Sequence, residues 1–305
     1  MENFIITISY LLLGMFLRRL GKFPESFANC LNLFVIYVSL PALVLLKIPR
    51  MALGTELFFV ALLPWLMVAV SAAFVLLISC ISGWPRALTG CLLLMVPLGN
   101  TSFLGIPMVK AFFGENAISY AMVYDQLGSF LALATYGALI LAIYGDDQKG
   151  NVRVGEIVTK IITFPPFIAL VVAFCLRNVH FPTLVEHILS SLGATLVPLV
   201  MVAVGFQLRL QVEPGGLVPL SIGLLLKLVV APVVALALVW ALGFEGQPVE
   251  VAVFEAGMPP MVSAGALAIL ADLAPRLTAA LVGLGIFLSF LTLPGLYQLI
   301  RVVIG

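Results

Sequence analysis

Charge is absent from long stretches of this chain: residues 57–85, 87–109, 126–145, 161–176, 188–208, 228–244 and 277–300 contain no Asp, Glu, Lys or Arg. A helix that crosses the hydrocarbon of a bilayer needs roughly 20 mostly apolar residues. Polar punctuation between and within the runs divides the chain into ten such spans, near 3–20, 26–47, 56–82, 86–113, 117–144, 155–177, 183–208, 216–243, 248–273 and 277–301. The pattern therefore predicts an all-α integral membrane protein. One stretch stands apart, MVPLGNTSFLGIPMVK at 95–110, which sets two prolines, two glycines, an Asn, a Thr and a Ser inside the fourth span.

Proline removes a backbone donor and disfavours helical geometry at the residue before it. Pro97, Gly99, Gly105 and Pro107 together predict an unwound centre, with half-helices over 86–96 and 105–113. GMPPMVSAG at 257–265 predicts the same for the ninth span. Irregular backbone at membrane depth is tolerated only where protein or a watery cavity satisfies it, so the two breaks are expected to cross in the interior. Each second half-helix would then begin at the midplane with free N–H groups and a positive dipole end. Asn100, Thr101 and Ser102 on one side and Ser263 on the other are suited to cap those ends. Two such termini make an anion site without a buried Arg or Lys, and a carboxylate is the expected guest. The candidate substrate contacts are Asn100, Thr101, Ser102, Gly105 and Pro107 with Met258, Pro259, Val262 and Ser263.

The longest polar link, YGDDQKGNVRVGE at 144–156, falls near the middle of the chain. It divides the spans five and five, as 1–144, a cytoplasmic linker at 145–154, and 155–305. An odd number of spans per half inverts the second. SLPAL at 39–43 lies in the second span and LVPLV at 196–200 in the seventh, and Gly83, Trp84 and Pro97 align with Gly243, Phe244 and Pro259. Interrupted segments at corresponding places of two inverted halves are the sequence mark of a secondary transporter's binding site.

Composition agrees: 63% of the 305 residues are hydrophobic and 10% charged, against about 25% charged in a soluble domain. A net charge of +1 gives no nucleic-acid footprint. Lys and Arg set the expected orientation. With the N-terminus outside, Arg18, Arg19, Lys22, Arg86, Lys149, Arg153, Lys160, Arg209 and Arg276 fall inside, against Lys47, Arg50, Lys110, Arg177 and Arg301 outside. Both termini are thus expected on the extracytoplasmic side of the cell membrane. Cys30, Cys80, Cys91 and Cys175 are isolated in apolar runs and read as packing. His180 and His187 read as solvated loop residues, with no ligand spacing that would hold a metal.

Charges deep in a span are costly and mark function. Asp125 with Gln126 in the fifth span, Lys227 in the eighth and Glu255 beside the second break are the candidate coupling residues. No GxGD motif accompanies Tyr124-Asp125 and no GxSxG motif is present, so an intramembrane enzyme is not expected. A cation/proton antiporter would call for adjacent carboxylates at the crossing, where Asn100 and Thr101 stand instead.

GNTSFLGIP at 99–107 and EAGMPPMVSAGALA at 255–268 resemble the crossover segments of the auxin efflux carrier family, within the superfamily that also holds bile acid carriers. The resemblance extends over the chain in length, span count and loop position. It implies ten helices in two inverted five-helix repeats, a scaffold and a crossover domain with crossed broken helices 4 and 9, and elevator-type transport of organic anions such as malate, malonate or auxin-like acids. It places Asn100, Thr101, Pro107 and Pro259 at the family's crossover positions. Glu255 matches an acidic residue that helps hold sodium in bile acid:sodium symporters. Pro259 and Pro260 stand where those symporters have amide side chains, which counts against sodium; protons, sodium and plain uniport stay the alternatives, with protons slightly favoured. The expected partners are a small organic anion and the lipid bilayer, a homodimer is compatible with them, and no cofactor is expected.

Overall fold

The computed structural model describes residues 2–51, 54–145, 154–177, 179, 181–208 and 216–305. Most of the expected linker, with Asp146, Asp147, Lys149 and Arg153, lies outside the described residues, as do His180 and Arg209. In chain order the helices are α1 (Glu2–Arg19), α2 (Phe27–Phe34), α3 (Leu40–Lys47), α4 (Thr55–Ser82), α5 (Arg86–Met95), α6 (Ile106–Phe113), α7 (Ile118–Val123), α8 (Ala138–Tyr144), α9 (Val154–Ile162), α10 (Pro165–Cys175), α11 (Thr183–Ala194), α12 (Leu196–Gln207), α13 (Leu217–Leu225), α14 (Ala231–Leu242), α15 (Gln247–Ala256), α16 (Val262–Leu270) and α17 (Pro275–Val303). Widened π-turns at Val35–Ser39, Thr101–Gly105, Tyr124–Phe130, Leu133–Gly137 and Leu226–Val230 join several of these into longer rods.

Among the described residues six continuous rods are long and apolar enough to cross a membrane: Phe27–Arg50, Glu56–Ser82, Glu115–Tyr144, Thr183–Gln207, Leu217–Leu242 and Pro275–Val303. Three shorter apolar helices accompany them, Arg86–Met95, Thr101–Phe113 and Pro165–Cys175. This is an all-α, multi-pass membrane fold. Some of its prolines begin helices, in the first two positions of α10, α15 and α17, where the missing N–H costs nothing. Those at the start of α3, α6 and α14 follow a widened turn within a continuing rod. Pro294 lies inside α17 and Pro64 inside α4. Gly128 makes room for Pro64, since a Cβ there would lie 2.1 Å from the proline ring.

The chain forms two compact units, one of Met1–Gly54, Ser102–Met122 and Thr159–Leu208, the other of Thr55–Thr101, Val123–Val158 and Arg209–Gly305. Each draws on both halves of the sequence. Division by contact and division by repeat are different cuts, so the units do not decide the five-plus-five arrangement.

In the first unit α1 runs along α12. Their backbones nearly touch, because a Cβ on Gly14 would lie 2.1 Å from the Val202 carbonyl oxygen and one on Gly205 2.1 Å from that of Leu11. Without a hydrophobic drive between helices in lipid, such close approach of small residues supplies the packing. Arg18 donates to the Leu208 carbonyl at 2.8 Å, and α3 packs against α10 and α11. The Ser39 and Thr195 hydroxyls are 2.7 Å apart.

In the second unit α5 is buried along nearly its whole length, with Leu92, Leu94 and Met95 among side chains of α13, α16 and α17. α4 lies against the Tyr124–Phe130 turn and α15, and the Trp65 indole donates to the Leu127 carbonyl at 2.9 Å. Large apolar side chains stay exposed on the outer helix faces, Phe58, Ile81 and Leu291 among them. Lipid is the solvent that suits them.

Gly14→Ala is expected to lower the thermal midpoint of the purified protein, at a cost of about 1–3 kcal/mol from overpacking. Gly295→Ala in α17, where an added Cβ meets nothing within 4 Å, should be neutral or slightly stabilising through helix propensity. Thermal unfolding of the two variants side by side checks this.

Candidate functional site

Helix α5 ends at Met95, and regular helix resumes only at the Thr101–Gly105 turn. α15 ends at Ala256, and α16 starts at Val262. The two interruptions meet within the second unit. Gly99 and Pro260 form an antiparallel bridge, in which Asn100 N–H donates to the Pro259 carbonyl at 2.8 Å and Met261 N–H to the Leu98 carbonyl at 3.0 Å. Backbone that cannot continue a helix is thus satisfied by the other interrupted segment. This corrects one expectation: the N–H groups of Asn100 and Met261 are used by the crossing and do not wait for a guest.

Side chains around the bridge are both polar and buried. Asn100, Thr101, Asp125, Gln126 and Lys227 are each under 5% exposed and Glu255 is at 0%. The Thr101 hydroxyl donates to one Asp125 oxygen at 2.6 Å, and the Gln126 amide donates to the other at 2.6 Å. The sequence suggested Thr101 as a cap for the second half-helix; its hydroxyl instead holds a carboxylate.

Lys227 comes from the Leu226–Val230 turn of the rod Leu217–Leu242. Its Nζ lies 3.5 Å from the Ala256 carbonyl, at the limit of hydrogen bonding. It also packs on Gly99, where an added Cβ would lie 3.1 Å from Nζ. Glycine at 99 therefore leaves a berth for the ammonium. Lys227 and Glu255 lie near enough to feel each other's charge, and Glu255 feels that of Asp125 as well.

Several buried polar atoms here have no hydrogen-bond partner among the described residues: the Asn100 Nδ2, the Gln126 Oε1 and both carboxylate oxygens of Glu255. Each such atom carries a desolvation cost of about 1–3 kcal/mol, more when charged. An orphan donor and orphan acceptors in one place ask for a ligand, a proton or water. A cavity of about 10 Å³ lies among Pro97, Gly99, Thr101, Tyr124, Lys227 and Glu255, enough for one water molecule. Ser71 of α4 and Ser129 also line it. Neither was singled out from the sequence, because a lone Ser in an apolar run carries no spacing signal.

The remaining candidates are placed as follows. Met258 and Pro259 are buried in the second interruption, and Val262 is half-buried at the start of α16. Ser263 is exposed, and the residue before α16 is Met261, with no side-chain cap. Its expected capping role is not found. Ser102, Gly105 and Pro107 belong to the first unit, Ser102 half-buried and the other two buried. Among the described residues no group of three His, Cys, Asp or Glu side chains could hold a metal ion.

A family model described as membrane transport protein matches residues 1–297. The chain is 27% identical over 296 residues to an uncharacterized transporter of Methanothermobacter thermautotrophicus, covering 96% of each chain. It is 26% identical over 290 residues to an uncharacterized transporter of Methanocaldococcus jannaschii, covering 92% of each.

Thr101→Val removes the donor to buried Asp125 and is expected to cost about 1–3 kcal/mol, whereas Thr101→Ser should stay near the parent. Thermal unfolding of both variants is the check.

Proposed function

The chain belongs to the auxin-efflux-carrier-like family of membrane transport proteins, and from that premise we propose that it is a secondary transporter of small organic anions, carboxylates foremost. It works by elevator-type alternating access on ten spans arranged as two inverted five-helix repeats, with the fourth and ninth as its crossed, broken pair. The observation that carries this reading is the meeting of the two interruptions at Gly99 and Pro260, surrounded by buried polar groups that lack partners.

Asn100 is the residue for the anion. Its Nδ2 is a buried donor without an acceptor among the described residues, which a substrate carboxylate would complete. Thr101, Met258, Pro259, Val262 and Ser263 flank it in the same unit, and Ser102, Gly105 and Pro107 continue the same stretch of chain. The positive ends of helices next to the interruption favour a negative guest without demanding a permanent buried cation.

Coupling falls to Asp125, Glu255 and Lys227. Two carboxylates and one ammonium leave a net negative charge when all are ionised, and a buried net charge is expensive. One proton on the set makes it neutral, so proton binding and the movement of this cluster through the membrane are energetically tied. Sodium is the second reading, favoured by the two unpartnered oxygens of Glu255 and opposed by prolines at 259 and 260 in place of amide ligands. The cation/proton antiporter has less support, because Asn100 and Thr101 are not titratable.

Uptake of labelled malate and malonate into proteoliposomes, under imposed pH or sodium gradients, tests both parts. Transport should follow the proton gradient, and Glu255→Gln should abolish that dependence. Asn100→Ala should abolish thermal stabilisation by monocarboxylates. Flux indifferent to either gradient would sink the coupling, and undiminished stabilisation of Asn100→Ala would sink the anion site.

A further inference from the structure

The first unit contains a cavity of about 530 Å³, within the size range of small-molecule sites. Three chain segments build it. The end of α3 and the 3₁₀ turn Ile48–Arg50 bring Lys47 and Arg50, three residues apart and so on one helical face. The start of α11 brings Thr183, Glu186, His187 and Ser190, whose spacing of three, four and seven also makes one face. Asn116, Ser119 and Tyr120 close the third side. His187, expected as a solvated loop residue, is exposed but stands one turn inside α11, lining this cavity.

A polar face on the first turns of a helix that continues as LVPLVMVAV is not needed for packing in lipid. The chain itself indicates what such a face accepts. Lys47 Nζ lies 3.0 Å from one Glu115 carboxylate oxygen, Lys110 Nζ lies 2.6 Å from the other, and Arg50 pairs with Glu186. These two carboxylates sit on adjacent cations, and their side chains are 52% and 34% exposed. Ion pairs that open to solvent contribute little and exchange readily. Hydroxyls and an amide from Ser119, Tyr120, Asn116, Thr183 and Ser190 stand around them as further hydrogen-bond partners.

We propose that this cavity is a dicarboxylate-binding site, in which the two carboxylates of a small organic diacid take the places of Glu115 and Glu186 on Lys47 and Arg50. The planar guanidinium of Arg50 receives one carboxylate bidentately, while the Lys47 ammonium anchors the other as a point charge. Two cations a helical turn apart select diacids over monoacids. The site rests on the organic-anion reading for its ligand class, but it uses none of the residues at the Gly99–Pro260 bridge.

Calorimetric titration of the purified full chain in detergent with succinate, malonate, acetate and sulfate tests it. Succinate or malonate should bind, acetate should bind far more weakly, and Arg50→Gln or Lys47→Gln should each weaken diacid binding about tenfold. Glu186→Gln, which leaves Arg50 without its internal competitor, should tighten binding several-fold. A variant that is merely misfolded cannot do that. Unchanged affinity in the Arg50 and Lys47 variants, equal binding of acetate or sulfate, or no tightening in Glu186→Gln each overturns the proposal. Asn100→Ala separates the two claims. Diacid binding that persists in Asn100→Ala and responds to Arg50→Gln, with no flux in the parent chain, upholds this site and refutes the transport reading. Flux that Asn100→Ala abolishes, with diacid affinity untouched by Arg50→Gln, does the reverse.

Discussion

Hydrocarbon offers no hydrogen bonds, so every peptide group placed in it must find its partner within the protein. That constraint decides the form of the second unit. Residues 96–100 and 257–261 cannot continue their helices, because Pro97 and Pro259 lack N–H groups and their neighbours are pushed toward extended geometry. Each interruption would be costly alone. Together they pair at Gly99 and Pro260 through two backbone hydrogen bonds, and the rest of the unit is packed to keep that pairing in place. Gly285 is one sign of it: a Cβ there would lie 2.6 Å from the Pro260 ring.

Pairing the backbone leaves side chains to supply the chemistry. The crossing holds one ammonium, two carboxylates and two amides in a space almost without solvent. Asp125 is engaged by Thr101 and Gln126, whereas neither oxygen of Glu255 has a hydrogen-bond partner among the described residues. This asymmetry assigns different work to the two acids. Asp125 is tied to Thr101 just after the first interruption, while Glu255 is the acid that the local hydrogen bonds leave out. A polar network with unfilled positions is a poor way to stabilise a core and a good way to bind something transiently.

Much of this was legible in the sequence, for reasons that differ by element. Proline and glycine act locally, so the end of helix near residue 96 and its resumption after 261 follow from residue type alone. Runs without charge reveal long helices for the same local reason, and the expected spans at 56–82 and 183–208 lie within a residue or so of the rods Glu56–Ser82 and Thr183–Gln207. The partner of each side chain was not legible. Thr101 caps nothing and reaches residue 125, Ser263 turns outward, and His187 enters a helix, because each outcome depends on neighbours distant in sequence. The widened turns carrying Asp125 and Lys227 also escaped, since a π-turn differs from an α-turn by one residue and has no distinctive composition.

Those turns make the aim of Asp125 and Lys227 depend on counting. In an α-helix one residue corresponds to about 100° of rotation, and a π-turn accommodates one extra residue without breaking the rod. Loss of a single residue from Tyr124–Phe130 would let the segment relax into ordinary helix, keeping the flanking faces in register while re-aiming the side chains on the turn itself, Asp125 among them. Chain length at these two places is therefore as much a part of the charge cluster as the charged residues themselves, and indels that look harmless in so greasy a sequence would disarm it.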